Sequence, residues 1–251
     1  SVYTSDRYGF NNPDIEWDNK NIQYLLLGDS AVHGACVNRP YDIASVIRKQ
    51  SNKAVLNLGY IGNGPLLQLA TLKEYISKDV KNVIWFYFPN DAWDLKRELN
   101  NIYLKKYFED QNFKQNLKLK QNIIDKVLKK ELAQIDKKNI TESKIKRRIF
   151  DFVKLSNIRQ IIQDRGLQPQ FKEILKKTKS ITKINNSNFY FVYLPRYTHV
   201  KDNTYDKNFS LIKKILSDLE IPLIDIKKEL FDKIEDPLSL YPFNLNGHLN
   251  E

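Results

Sequence analysis

Gln23-Tyr24-Leu25-Leu26-Leu27-Gly28-Asp29-Ser30 decides how this chain is read: a short apolar run with no polar alternation, then a glycine, a carboxylate and a hydroxyl where a helical pattern takes over. A continuous apolar run of this length marks a strand buried on both faces. Gln23 to Leu27 is therefore expected to be a central strand and Ala31 to Lys49 the helix after it. Working outward, the same theme returns. Ala54 to Leu58 reads as a second strand, running into the turn Gly59-Tyr60-Ile61-Gly62-Asn63-Gly64-Pro65, and Leu66 to Ser77 has helical spacing. Val83 to Phe88, the most apolar strand, stops at Pro89-Asn90-Asp91. Asn188 to Leu194, a helix over Asn208 to Leu219 and a short strand, Pro222 to Ile226, follow much later. Strands alternating with helices pair in parallel and need cover on both faces, so the expected class is α/β, a three-layer α/β/α sandwich around a mostly parallel sheet.

The 251 residues suit one domain, 1–251, carrying an insertion. The alternation breaks between about Glu98 and Thr182, where Lys, Gln, Asn, Leu and Ile predominate and Ile123 to Ile135 and Ile145 to Ile162 are helical in spacing. A helical insertion over 99–181 is the expectation. It holds the excess charge: the chain carries +11, and Asn101 to Ser180 has 21 Lys and Arg against 9 Asp and Glu, the remainder 20 against 21. Hydrophobic residues at 41% and charged residues at 28% fit a globular protein and exclude a bundle of membrane helices. Cys36 is the only cysteine, which excludes an intrachain disulfide and a thiolate metal site. With three histidines in all, neither a metal nor a cofactor is expected. The opening arm, Ser1 to Lys20, shows no period and reads as an ordered loop at best. The chain starts at Ser1, compatible with a removed signal or anchor and with a place in the cell envelope or periplasm.

Ligands of open parallel sheets bind beyond the carboxyl ends of the strands. Three such ends carry unusual polar residues. Ser30 stands where strand gives way to helix, as a nucleophile or simply an N-cap. The turn Gly59 to Gly64 lets backbone N–H groups approach a ligand, or is only tight. Asn90 offers a side-chain amide to an oxyanion, or closes the strand as an Asx-turn.

Taken in order, these blocks resemble the SGNH/GDSL hydrolases, a family of serine esterases. Gly28-Asp29-Ser30 matches the first block. Asn57-Leu58-Gly59-Tyr60-Ile61-Gly62 matches the second, with the oxyanion glycine placed at Gly62 in preference to Gly59. Asn90-Asp91 matches the third, with Pro89 where glycine is frequent, and Asn246-Gly247-His248-Leu249-Asn250 matches the last. The resemblance implies a flavodoxin-like sheet, Ser30 as nucleophile, His248 as its base, and the Ser30 and Gly62 N–H groups with the Asn90 amide as oxyanion donors. It implies hydrolysis of a small acyl ester, an O-acetyl group on a carbohydrate or a lipid acyl ester, through an acyl-Ser30 intermediate. O-acyl transfer to an envelope polysaccharide and an idle polymer-binding module are the alternatives.

The sequence departs from the family before its histidine, where Leu245 and Asn246 stand at positions that often hold an aspartate. Asp236 or a backbone carbonyl is left to orient the imidazole. The chain also ends at Glu251 without the closing helix usual in the family, which reads as a truncation. The basic segment, densest at Lys129-Lys130, Lys137-Lys138 and Lys144 to Arg148, is expected to adjoin the cleft as a lid or docking surface. Anionic polysaccharide or a membrane surface suits it, or it is only a solvated face; no nucleic-acid-binding motif is present. His33, one turn beyond Ser30, reads as packing or cleft wall, and His199 as cleft lining or surface.

Overall fold

The computed structural model describes residues 4–138 and 166–249, with the backbone alone over 133–138. Five parallel strands form one sheet in the order β2-β1-β3-β4-β5: β1 Ile22–Leu27, β2 Ala54–Asn57, β3 Val80–Tyr87, β4 Asn188–Tyr193 and β5 Leu223–Asp225. The helices are α1 Ser30–His33, α2 Ile43–Ser51, α3 Pro65–Tyr75, α4 Asp91–Glu98, α5 Ile102–Glu109, α6 Gln121–Lys138, α7 Gln170–Ile184, α8 Tyr197–Lys201, α9 Phe209–Asp218 and α10 Ile226–Glu229. The expected α/β sandwich is thus the observed architecture.

Side chains alternate across each strand, so the two faces of the sheet build separate layers. Leu26, Phe86, Val192 and Leu194 face one way and pack with Val32 of α1 and with Ala44 and Ile47 of α2. Tyr87, Phe191 and Tyr193 face the other way, where Phe171 of α7 meets Tyr87 at 5.7 Å between ring centroids and Phe209 of α9 meets Tyr193 at 4.5 Å. Trp85, Tyr87, Tyr193, Phe171 and Phe191 are all fully buried, and aromatic burial dominates this layer.

The chain divides into two compact units, Ser1–Lys114 with Gly166–Glu251, and Gln115–Arg165. The first contains the whole sheet, α5 and α7. The second contains a 3-10 turn at Leu117–Lys120 and α6. The helix expected over Ile145 to Ile162 and the basic run Lys144 to Arg148 lie outside the described residues. None of the described helices is long and apolar enough to cross a membrane.

Two expectations need correction. The helix expected over Ala31 to Lys49 is two helices. Gly34 ends α1 in the left-handed region at φ 78, and a Cβ there would lie 2.9 Å from Asp42 Cβ. Asp42 then starts α2 afresh by accepting the Ser45 N–H at 3.0 Å. The opening arm, expected to be a loop at best, contains a 3-10 turn at Asp14–Asp18 and is fastened to the outer edge of β2. Asn12 Oδ1 accepts the Asn57 N–H at 2.8 Å while its Nδ2 donates to the Asn57 carbonyl at 2.9 Å. The Val55 N–H goes to Glu16 Oε2 at 3.1 Å, and the Val55 carbonyl accepts Arg48 Nη2 at 2.7 Å. The bare edge of β2 therefore finds its partners in side chains, which no hydrophobic period can reveal.

Candidate active site

Strand order reverses between β1 and β3, and the crevice beyond their carboxyl ends is where such sheets hold ligands. The link from β1 to α1 crosses that crevice in two residues. Gly28 is obligatory there, since a Cβ would lie 2.4 Å from Val32 Cγ2 and 3.3 Å from Phe86 Cβ. Asp29 caps α1, its Oδ1 accepting the Ala31 N–H at 3.0 Å. Ser30, the first helical residue, is thereby held half-buried at the helix start.

His248 reaches the same point from the other end of the chain. Its Nε2 lies 2.8 Å from Ser30 Oγ. The segment that delivers it is anchored at Tyr241, which is buried with Phe231 and Val200 and meets the Tyr197 ring edge-on at 5.1 Å. Tyr197 also donates its hydroxyl to the Asn244 carbonyl at 2.6 Å. Among the described residues no group accepts from His248 Nδ1. Asp236 instead starts a 3-10 turn, where its carbonyl accepts the Ser239 hydroxyl at 2.6 Å.

Asn90 stands three residues beyond the end of β3, after Phe88 and Pro89. Its Nδ2 donates to Asp29 Oδ2 at 3.4 Å and to Asp94 Oδ2 at 3.3 Å, while its Oδ1 is buried without a partner. Ser30 Oγ is also 3.4 Å from Asp29 Oδ2, so the hydroxyl and the amide are neighbours across one carboxylate oxygen. The Asx-turn weighed for Asn90 is absent; Asp91 Oδ2, one residue on, accepts the Phe88 N–H at 3.3 Å. Buried carboxyls accumulate here. Burial holds Asp91 well above the usual carboxylate range, with Asp29 adding to it, and burial raises Asp94 against the pull of Arg97. Glu98 is pushed up to about 7 by burial, although it accepts N–H groups from Leu66, Gly64 and Leu67.

In the glycine turn, the Gly59 N–H is taken by Asn57 Oδ1 at 2.9 Å, and a Cβ on Gly59 would lie 2.7 Å from both the His33 nitrogen and Val32 Cβ. Gly59 is thus fixed by packing. Gly62 sits at φ 78, with open space where a Cβ would be, and its carbonyl accepts Arg97 Nη2 at 3.2 Å. His33 is buried, its Nδ1 3.3 Å from the Gly59 carbonyl, and burial lowers its pKa. His199 belongs to α8, where its Nδ1 accepts the Arg196 N–H at 3.4 Å.

A pocket of about 170 Å³ opens beside Ser30 and His248, with walls that include Val37, Ile43, Phe88, Leu194 and Leu249. Sequence reading missed it. The clues were present, since Phe88 and Leu194 are large apolar residues immediately beyond strands β3 and β4. Cys36 and Tyr41 also line it, from the loop between α1 and α2 that was expected to be helix. Gly62 and Asn90 do not line this pocket. The described residues contain no group of three or more His, Cys, Asp or Glu that could hold a metal ion.

The chain matches no family model and no curated protein. It is similar to solved structures, among them the following three. One, from Desulfitobacterium hafniense DCB-2, is described as a lipolytic protein of the G-D-S-L family; it shares 14% identity at a TM-score of 0.47, over 91% of each chain. A mutant of the esterase AlinE4 shares 10% identity at a TM-score of 0.42, over 86% of this chain and 82% of that one. The psychrotrophic esterase EstA from Pseudoalteromonas sp., inhibited by monoethylphosphonate, shares 11% identity at a TM-score of 0.40, over 92% and 88%.

Proposed function

We propose that this protein is a serine esterase in which Ser30 is the nucleophile and His248 the general base. The observation that carries the reading is the 2.8 Å contact between Ser30 Oγ and His248 Nε2 at the carboxyl edge of the sheet. A serine hydroxyl is a weak nucleophile until a base within hydrogen-bond reach removes its proton as it attacks. His248 takes that proton, Ser30 Oγ bonds to the ester carbonyl carbon, and His248 returns the proton to the departing alcohol. Water then attacks the acyl-Ser30 by the same route in reverse.

The negative charge on the carbonyl oxygen needs donors already in place, each contributing on the order of 3 kcal/mol to the transition state. The Ser30 N–H, the Gly62 N–H and the Asn90 amide are the donors in this reading. Asn90 holds its two carboxylate partners at 3.4 and 3.3 Å, beyond the usual N–H···O distance, so its amide turns to a charged oxyanion at little cost. His248 works as the partner of a Ser-His dyad, with no carboxylate orienting its ring among the described residues.

Fluorophosphonate labelling tests the proposal, because the reagent bonds to an activated serine. Labelling at Ser30 in the native protein, lost in Ser30→Ala and strongly slowed in His248→Ala, is the expected result. A native protein that stays unlabelled is not a serine esterase.

A further inference from the structure

The pocket beside Ser30 carries more information than the pair itself, because it limits what can be attached to the carbonyl. Val37, Ile43, Phe88 and Leu194 present no side-chain hydrogen-bond partner, so sugar hydroxyls placed against them would forfeit their bonds to water. An apolar cavity of about 150 Å³ accommodates a molecule of benzene's size. A pocket of about 170 Å³ therefore has room for a chain of roughly six carbons, far more than an acetyl methyl fills.

Either the acyl group or the alcohol must occupy it. The alcohol departs after the first half-reaction, and water has to take its place next to His248. The acyl group stays on Ser30 through both halves. The lining is mostly apolar, with Asp29, Tyr41 and Tyr241 as its polar members besides Ser30 and His248, and such a wall suits the group that stays.

Resting on the esterase reading, we propose that this pocket binds the acyl chain of the substrate, and that the preferred ester carries an unbranched acyl group of about four to eight carbons in place of acetyl. Selectivity then comes from burial. Each methylene that enters the pocket is worth about fourfold in kcat/KM until the pocket is full.

Cys36 offers a readout independent of turnover, since it lines the pocket, is exposed, and is the only thiol in the chain. Alkylation of Cys36 by iodoacetamide is followed in the presence of sodium hexanoate or of equimolar sodium acetate, in the native protein and in Ser30→Ala. Alongside, kcat/KM is measured for p-nitrophenyl acetate, butanoate, hexanoate and dodecanoate. We expect hexanoate to slow alkylation severalfold in both proteins where acetate does not, and kcat/KM to climb from acetate to hexanoate and fall at dodecanoate. Cys36→Phe, a change at an exposed position, should lower the hexanoate-to-acetate ratio about tenfold by filling the pocket. Equal alkylation rates with the two anions, or turnover highest for acetate, overturns the assignment. If no ester is turned over and Ser30 takes no fluorophosphonate, the esterase reading and the acyl assignment fall together. Turnover that is best with acetate fails the acyl assignment alone.

Discussion

Ser30 Oγ and His248 Nε2, 218 positions apart in the chain, stand 2.8 Å from each other. Two groups that act as a unit have non-additive losses, because removing either disables both. Ser30→Ala and His248→Ala should each lower kcat for a short p-nitrophenyl ester by about 10⁴-fold or more, and the double variant should lose no more than the worse single one. Thermal unfolding should show each single variant folded, since Ser30 is only half-buried and His248 partly exposed. Losses that multiply in the double variant would mean the two side chains act separately.

Asp236 directs its backbone to a local turn and makes no hydrogen bond to His248. Asp236→Asn should accordingly leave kcat within about twofold, in contrast to the loss of about 10⁴ that follows when a carboxylate orienting the imidazole is removed. A loss on that scale would identify Asp236 as the missing third member.

His33 is buried and its pKa is lowered, first by burial, with the Gly59 carbonyl and Asp42 opposing. The unfolded chain therefore binds this proton at a higher pH than the folded one. Stability owed to neutral His33 is complete above the ordinary histidine pKa of about 6.5 and is lost as pH falls from there through the folded value. His33→Gln removes the titration, so native and variant unfolding free energies should draw together, or cross, between pH 7.5 and pH 5. A gap that stays constant over that range would show that His33 does not titrate on unfolding. Activity at pH 8 should largely survive the change, because His33 faces Gly59 and Tyr60 and not the Ser30 hydroxyl.

Gly59 and Gly62 should respond differently to alanine. At Gly59 the new Cβ would meet the His33 nitrogen and Val32 at 2.7 Å, an overpacking that costs about 1–3 kcal/mol and strains the link to Ser30. At Gly62 there is open space but a φ of 78, which costs a β-carbon roughly 1 kcal/mol. Urea unfolding should place Gly59→Ala as the less stable of the two, while Gly62→Ala should show the larger fall in kcat relative to its loss of stability. A fall in kcat for Gly62→Ala no larger than its loss of stability explains would remove Gly62 from the set of oxyanion donors.

The strands were legible because burial on both faces writes a continuous apolar run, and each lies within a few residues of where Leu25-Leu26-Leu27 or Trp85-Phe86-Tyr87 suggested. Polar residues at strand ends were legible too, since Ser30 and Asn90 interrupt those runs. What could not be read were contacts set by folding at long range. The break within Ala31 to Lys49, by contrast, was written in Gly34 and Pro40, since proline interrupts a helix and disfavours helix at the residue before it, while the close approach of Asp42 to Gly34 is a long-range contact. The pocket walls come from four separate segments, which only the fold brings together. Asn12 and Asn57, 45 residues apart, pair through a side chain and thus carry no period at all.

That last pair has a consequence for how this protein behaves among its own copies. An outermost strand with free N–H and C=O groups is a template on which another chain can add. Here Asn12, Glu16 and Arg48 already occupy the outward groups of Val55 and Asn57, so the edge offers a neighbouring molecule nothing to bind. Protection resides in three side chains, two from the arm and one from α2, and not in the sheet. Loosening the arm, by Asn12→Ala or by proteolysis before Asn19, should uncover the outward groups of β2 and promote self-association through that edge, with loss of solubility preceding loss of fold.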